Sequence, residues 1–131
     1  MTYHTFVAKT ETNSVEEILT THFAYPDSEP VKIHIRKAKT RIFITDGGYT
    51  ISYLRSQLVD IEGDGFQDAM RMIATDHFCE LDSEERFCCI VETARMSSAD
   101  DIQFALNLGV SSLIQTAIEV CTLHNNEFSD D

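Results

Sequence analysis

Residues 31–58 read VKIHIRKAKTRIFITDGGYTISYLRSQL. From Val31 to Arg36 apolar and polar side chains alternate strictly, the apolar ones at odd positions. A period of two marks a half-buried strand with one wet face. Lys37-Ala38-Lys39-Thr40 makes a hairpin connection, and Arg41 to Thr45 returns as a second strand with Ile42 and Ile44 on one side. Asp46-Gly47-Gly48 then ends the strand. Ile51, Leu54 and Leu58 follow at helical spacing, which predicts a short buried-face helix over 51–58 with Thr50 as its cap. Strands joined by a tight turn pair antiparallel, so the expected class is α+β.

On the N-terminal side of this hairpin, YHTFVA at 3–8 reads as a short strand or arm within residues 1–13. Ser14-Val15-Glu16-Glu17 has the form of a capping box. Val15, Ile18, Leu19, His22 and Phe23 then recur at helical spacing, predicting a first helix to about Ala24, with Pro26 and Pro30 bracketing the turn that ends it. On the C-terminal side, the acidic, glycine-bearing run from Asp60 to Gly65 reads as a loop. A helix follows with Phe66, Met70 and Ile73 on one face and Ala69 and Met72 beside it. Residues 78–81 and 87–91 form a second hairpin, and Ser97 or Ser98 caps a long helix from Ala99 to about Leu123. At 1.5 Å per residue that helix reaches roughly 35 Å. Its apolar arc is wide, so it either lies deep in the core or meets a second subunit through Leu106, Val110, Leu113, Ala117 and Val120. The expected order is α-β-β-α-α-β-β-α: a small antiparallel sheet of two hairpins with helices on one face. It forms one domain over 1–131, ending in an acidic flexible tail at 125–131.

Composition narrows the function classes. The 131 residues carry ten basic and 22 acidic side chains, for a net charge of −12. The imbalance is one-sided: residues 1–58 hold seven basic and six acidic groups, residues 59–131 three and sixteen. Such a chain repels nucleic acid and attracts basic partners, more so at low salt. No apolar run in the sequence approaches a membrane span of roughly 18 residues. The start, MTYHTFVAKTETNS, has neither the basic nor the apolar part of a signal peptide, so a cytoplasmic protein is expected. Cys79, Cys88, Cys89 and Cys121 lack CxxC spacing and are expected to be reduced, with Cys88 and Cys89 on opposite faces of a strand.

The stretch Ile44-Thr45-Asp46-Gly47-Gly48-Tyr49-Thr50-Ile51-Ser52-Tyr53-Leu54 resembles the central signature of the family called domain of unknown function 1828. That signature is an apolar residue, Thr or Ser, Asp, Asp or Gly, Gly, any residue, Thr, an aliphatic, Ser, any residue, Leu. The element order over about residues 14–121 is also similar. The resemblance implies a small bacterial or phage domain with no assigned reaction, and it brings no catalytic residues with it.

Several constellations have both a chemical and a structural reading. Asp46, Gly47, Gly48 and Thr50 lie where a phosphate could meet helix amides, but the motif lacks a Walker lysine and Asp46 would oppose the anion. As structure, Asp46 forms an Asx turn, the glycines supply positive φ and Thr50 caps the helix. His4, His22, His34, His77 and His124 show no zinc-helix spacing. Asp76-His77-Phe78-Cys79 does not place a Cys/His pair on one side of an extended segment. Asp60, Glu62 and Asp64 alternate like a calcium loop, but Gly63 and Gly65 are misplaced and no twelfth-position Glu follows. No metal or cofactor is expected. Lys32, Arg36, Lys37, Lys39 and Arg41 cluster on the first hairpin without stacking aromatics; they read as a charged, aggregation-resistant edge more than a nucleic-acid ribbon.

The most distinctive feature is acidic: Asp60, Glu62, Asp64, Asp68, Asp76, Glu80, Asp82, Glu84 and Glu85, against Arg71 alone. If loop, helix and turn converge, they form a negative face able to occupy the Lys/Arg surface of a nucleic-acid-handling protein. The expectation is a non-enzymatic, phage- or mobile-element-type interaction protein, acting like a DNA mimic or anti-CRISPR inhibitor. The alternatives are a bacterial dimerisation or regulatory module built on the long helix, and an enzyme or binder of a small anionic ligand at Asp46–Gly48.

Overall fold

The computed structural model describes residues 7–123; the expected N-terminal strand from residue 3, His4, His124 and the acidic tail at 125–131 lie wholly or partly outside them. Six strands and three helices follow in the order β1 (Val7–Thr12), β2 (Glu17–Ala24), β3 (Pro30–Lys37), β4 (Arg41–Thr45), α1 (Tyr49–Ser56), α2 (Asp64–Asp76), β5 (Glu80–Leu81), β6 (Phe87–Glu92) and α3 (Ala99–Leu123). The strands make one sheet in the order β1-β2-β3-β4-β6-β5, antiparallel at every pairing.

The alternation in residues 31–45 sets the register. Leu19 faces Ile33, Ile35 faces Ile44, and Ile44 faces Cys89. These residues, with Val31, Ile42 and Val91, turn to one side of the sheet, where α3 packs on β3, β4 and β6. Gly109 marks the closest approach: a Cβ there would lie 2.7 Å from Ile44 Cδ1, so only glycine lets the helix seat this deeply. Contrary to the expectation that no apolar run approaches a membrane span, α3 is long and apolar enough for one by length and composition, and half of that stretch is buried within the fold. On the opposite face Arg36, Phe43 and Ile90 lie in a row, and the Arg86 guanidinium sits 5.2 Å from the Phe43 ring centroid.

The α+β class, the antiparallel sheet, both hairpins and the long C-terminal helix match the expectation. The first element does not. Residues 17–24 form β2, not a helix, and there is no capping box: the Asn13 carboxamide accepts from the Val15 and Glu16 amides to make the β1–β2 turn. Ile18, Thr20 and Thr21 are β-branched, and β3 offers an apolar edge, so pairing outweighs the helical spacing of Val15, Ile18 and Leu19. The Thr21 hydroxyl seals the junction by donating to the Val31 carbonyl at 2.9 Å.

Candidate functional site

The acidic segment is organised by α2. Phe66, Met70 and Ala74, four residues apart, form its buried stripe. The same spacing places Asp64, Asp68 and Met72 on the outer side, with Thr75 and Asp76 continuing the exposed surface. Asp64 lies in the first turn, where the helix dipole favours a carboxylate. Asp68, Arg71, Met72, Thr75 and Asp76 together line a shallow surface depression.

The nine acids are not equivalent. Glu85 and Glu62 both engage Arg55, the first as a two-pronged pair with the guanidinium. That guanidinium holds the Glu85 carboxyl below its ordinary range. Asp82 and Glu84 engage Arg86. Burial works against the Asp82 charge, yet the Arg86 amide and guanidinium still hold its carboxyl below the ordinary range. Asp82 also accepts from the Glu84 amide at 2.9 Å, so its first task is to shape the β5–β6 turn. Asp60 closes the loop before α2 by accepting from the Glu62 amide. Among the described residues no ion pair reaches Asp60, Asp64, Asp68, Asp76 or Glu80, and all five are exposed. The negative surface is thus concentrated on α2 and its flanks, while the turn acids are partly neutralised.

Both ends of this segment carry a feature that periodicity did not reveal. At the end of α1, the Val59 amide bonds back to Leu54 O and the Leu58 amide to Arg55 O, with Leu58 at φ 61°. At the end of α2, the Cys79 amide bonds to Ala74 O and the Phe78 amide to Thr75 O, with Phe78 at φ 59°. These are Schellman closures, whose left-handed position normally belongs to glycine. Here it holds a leucine 92% exposed and a phenylalanine 88% exposed. Leu58, expected to be buried, instead points outward because the helix ends at Ser56 and the chain reverses. Met72, 67% exposed, adds a third apolar side chain to the same segment.

The Asp46–Thr50 corner is structural and tightly bonded. Asp46 is buried; Oδ1 accepts from the Gly48 and Phe87 amides at 2.8 and 3.1 Å, and Oδ2 from the Thr50 amide at 3.4 Å. Burial pushes the Asp46 carboxyl up, against the pull of the Thr50 hydroxyl and the three amides. Gly47 and Gly48 have φ of 71° and 88°, as the Asx-turn reading requires. Thr50 is not the cap: it lies within the first turn, buried, sharing a 2.9 Å hydrogen bond with the Tyr25 hydroxyl, and the Asp46 carboxylate caps the helix instead. Lys32 and His34 do approach this corner across a hollow of about 310 Å³. The Gly47, Gly48 and Thr50 amides an anion would need, however, are engaged by Thr45 and Asp46.

The helix residues expected at a subunit contact are inside the fold. Leu106, Val110, Leu113, Ala117 and Val120 are at most 1% exposed, because α3 turns this stripe to the sheet. Its outer side instead presents Phe104, Leu108 and Ile118. On the basic hairpin, Arg36 pairs with Glu16 and Arg41 with Glu92, which ties part of that charge into the chain. No family model, curated protein or solved structure matches the chain.

Proposed function

We propose that this chain is a non-enzymatic interaction protein that binds a basic, nucleic-acid-handling protein through the acidic segment 60–85. It would inhibit that partner as a DNA mimic does, by occupying the surface meant for phosphates. The observation that carries the reading is the outer side of α2. Asp64, Asp68 and Asp76 stand there exposed beside Met72, with exposed Asp60 in the loop just before the helix and outward-pointing Leu58 and Phe78 at the ends of α1 and α2. Carboxylates steer a basic partner into place and set the salt dependence, while desolvated apolar side chains hold it. The resemblance of residues 44–54 to domain of unknown function 1828 supports a bacterial or phage setting.

The test is affinity purification from a defence-carrying bacterial strain, using the full chain and a variant with Asp60, Glu62, Asp64 and Asp68 changed to Lys. A basic nucleic-acid-binding protein should be retained by the native chain, be released by raised salt or competing duplex DNA, and be lost with the variant. Equal retention by a folded variant rules the reading out.

A dimerisation or regulatory module is the second reading, and the exposed Phe104, Leu108 and Ile118 on α3 favour it. Sedimentation over a concentration series should then show a dimer that Phe104→Asp with Leu108→Asp abolishes, with the acidic residues dispensable.

A further inference from the structure

Cys79 and Cys89 are ten residues apart in sequence but face each other across the second hairpin. Leu81 pairs with Phe87 and Glu80 with Cys88, so the next position in register opposes Cys79 to Cys89. The Asp82 amide donates to Arg86 O at 2.9 Å, which marks Asp82 and Arg86 as a hydrogen-bonded pair. In an antiparallel ladder such pairs alternate with non-hydrogen-bonded ones. Counting back, Leu81/Phe87 is non-hydrogen-bonded, Glu80/Cys88 hydrogen-bonded, and Cys79/Cys89 non-hydrogen-bonded. Opposed residues of that last type have Cα atoms roughly 4.5 Å apart. A disulfide spans Cα separations of roughly 4.4–6.8 Å, a range that includes this type of pairing.

The two thiols already interact. The Cys79 thiol donates to the His77 carbonyl at 3.5 Å and lies close enough to Cys89 to perturb its ionisation, and the Cys89 sulfur is 3.6 Å from where a Gly109 Cβ would sit. The neighbouring Cys88 points to the opposite side of β6 and is 1% exposed, so it does not compete for the bridge. The thiols also differ in character. Hydrogen bonding from Cys79 lowers the pKa of Cys89, whereas the same contact and burial raise that of Cys79. Cys89 is half-buried and Cys79 buried, so Cys89 is the more accessible as well as the more ionised.

We propose that Cys79 and Cys89 form a redox-active dithiol that exchanges with low-molecular-weight disulfides, closing a cross-strand disulfide between the α2–β5 connection and β6. In the first step the Cys89 thiolate attacks one sulfur of the small disulfide, forming a mixed disulfide and expelling a small thiolate that takes up a proton. The Cys79 thiol then gives up its proton and attacks the Cys89 sulfur, breaking the mixed bond and releasing the second small thiol. The protein loses two electrons and two protons, and one small disulfide is reduced to two thiols.

The full-length chain equilibrated in glutathione redox buffers tests this. Intact mass should fall by two hydrogens as the buffer becomes oxidising, and peptide mapping should join Cys79 to Cys89. In Cys79→Ser the reaction should halt with one glutathione on Cys89. In the reduced native chain, which needs no variant to fold, Cys89 should alkylate at neutral pH at least about tenfold faster than Cys88 or Cys121. Linkage through Cys88 or Cys121, only intermolecular disulfides, or equal alkylation of all four thiols would overturn the proposal.

Discussion

Asp46 takes a carboxylate into the core at the point where β4 hands over to α1. It is the one charged side chain buried among the described residues, and it satisfies three amides drawn from the corner, the helix and β6. Asp46→Ala leaves those amides without an acceptor and should lower the unfolding free energy by about 3 kcal/mol, measured by urea denaturation. The pH dependence has a definite sign. Because the folded-state pKa lies above its ordinary 3.8, the residue's contribution is complete below that value and is lost as pH rises through the folded one. Asp46→Asn does not titrate, so its deficit relative to the native chain should be larger near pH ~4 than at pH ~7. A deficit that grows with pH would mean that the amides, not burial, dominate the site. The motif itself was legible in sequence as an Asx turn with positive-φ glycines. Which side chain caps the helix was not, since the Phe87 amide that helps to orient Asp46 comes from 41 residues away.

At the scale of elements, the two Schellman closures separate stability from recognition. A leucine or phenylalanine at φ near 60° costs about 1 kcal/mol that glycine avoids. Leu58→Gly and Phe78→Gly should therefore each leave the fold as stable or up to about 1 kcal/mol more stable, while weakening capture of the basic partner. Lower melting temperatures for both would show that these side chains serve packing instead. Helix α3 gives the complementary case. Leu113→Ala should destabilise by about 2–5 kcal/mol in chemical denaturation, because Leu113 lies wholly inside the fold. Phe104→Asp should leave stability nearly unchanged. Periodicity revealed the width of the apolar arc on α3 but not which stripe faces the sheet; Gly109, by letting the helix press against Ile44, settles that.

For the whole molecule, the governing quantity is where the charge of −12 falls. Pairing with Arg55 and Arg86 neutralises much of the β5–β6 turn and leaves α2 as the negative face. Partner capture should weaken steeply between about 50 and 200 mM salt, as expected when several carboxylates substitute for phosphates. Reversing Glu84 and Glu85 to Lys should affect it less than reversing Asp64 and Asp68. A larger effect from the turn pair would move the interface to the β5–β6 turn.

Local chemistry by itself determined the α+β class, the central β3–β4 hairpin, the DGG corner, the acidic second half and the long last helix. Each of these depends on a period of two or 3.6, on turn residues, or on a count of charges within one stretch. Tertiary structure alone decided the rest. Residues 17–24 are a strand because β3 exposes an edge to pair with, despite their helical spacing. Leu58 and Phe78 face outward because two helix ends reverse in the left-handed conformation. The β5–β6 register, continued by one residue, sets Cys79 opposite Cys89. All three depend on contacts between residues distant in sequence or on one φ angle, and neither leaves a periodic trace in the chain.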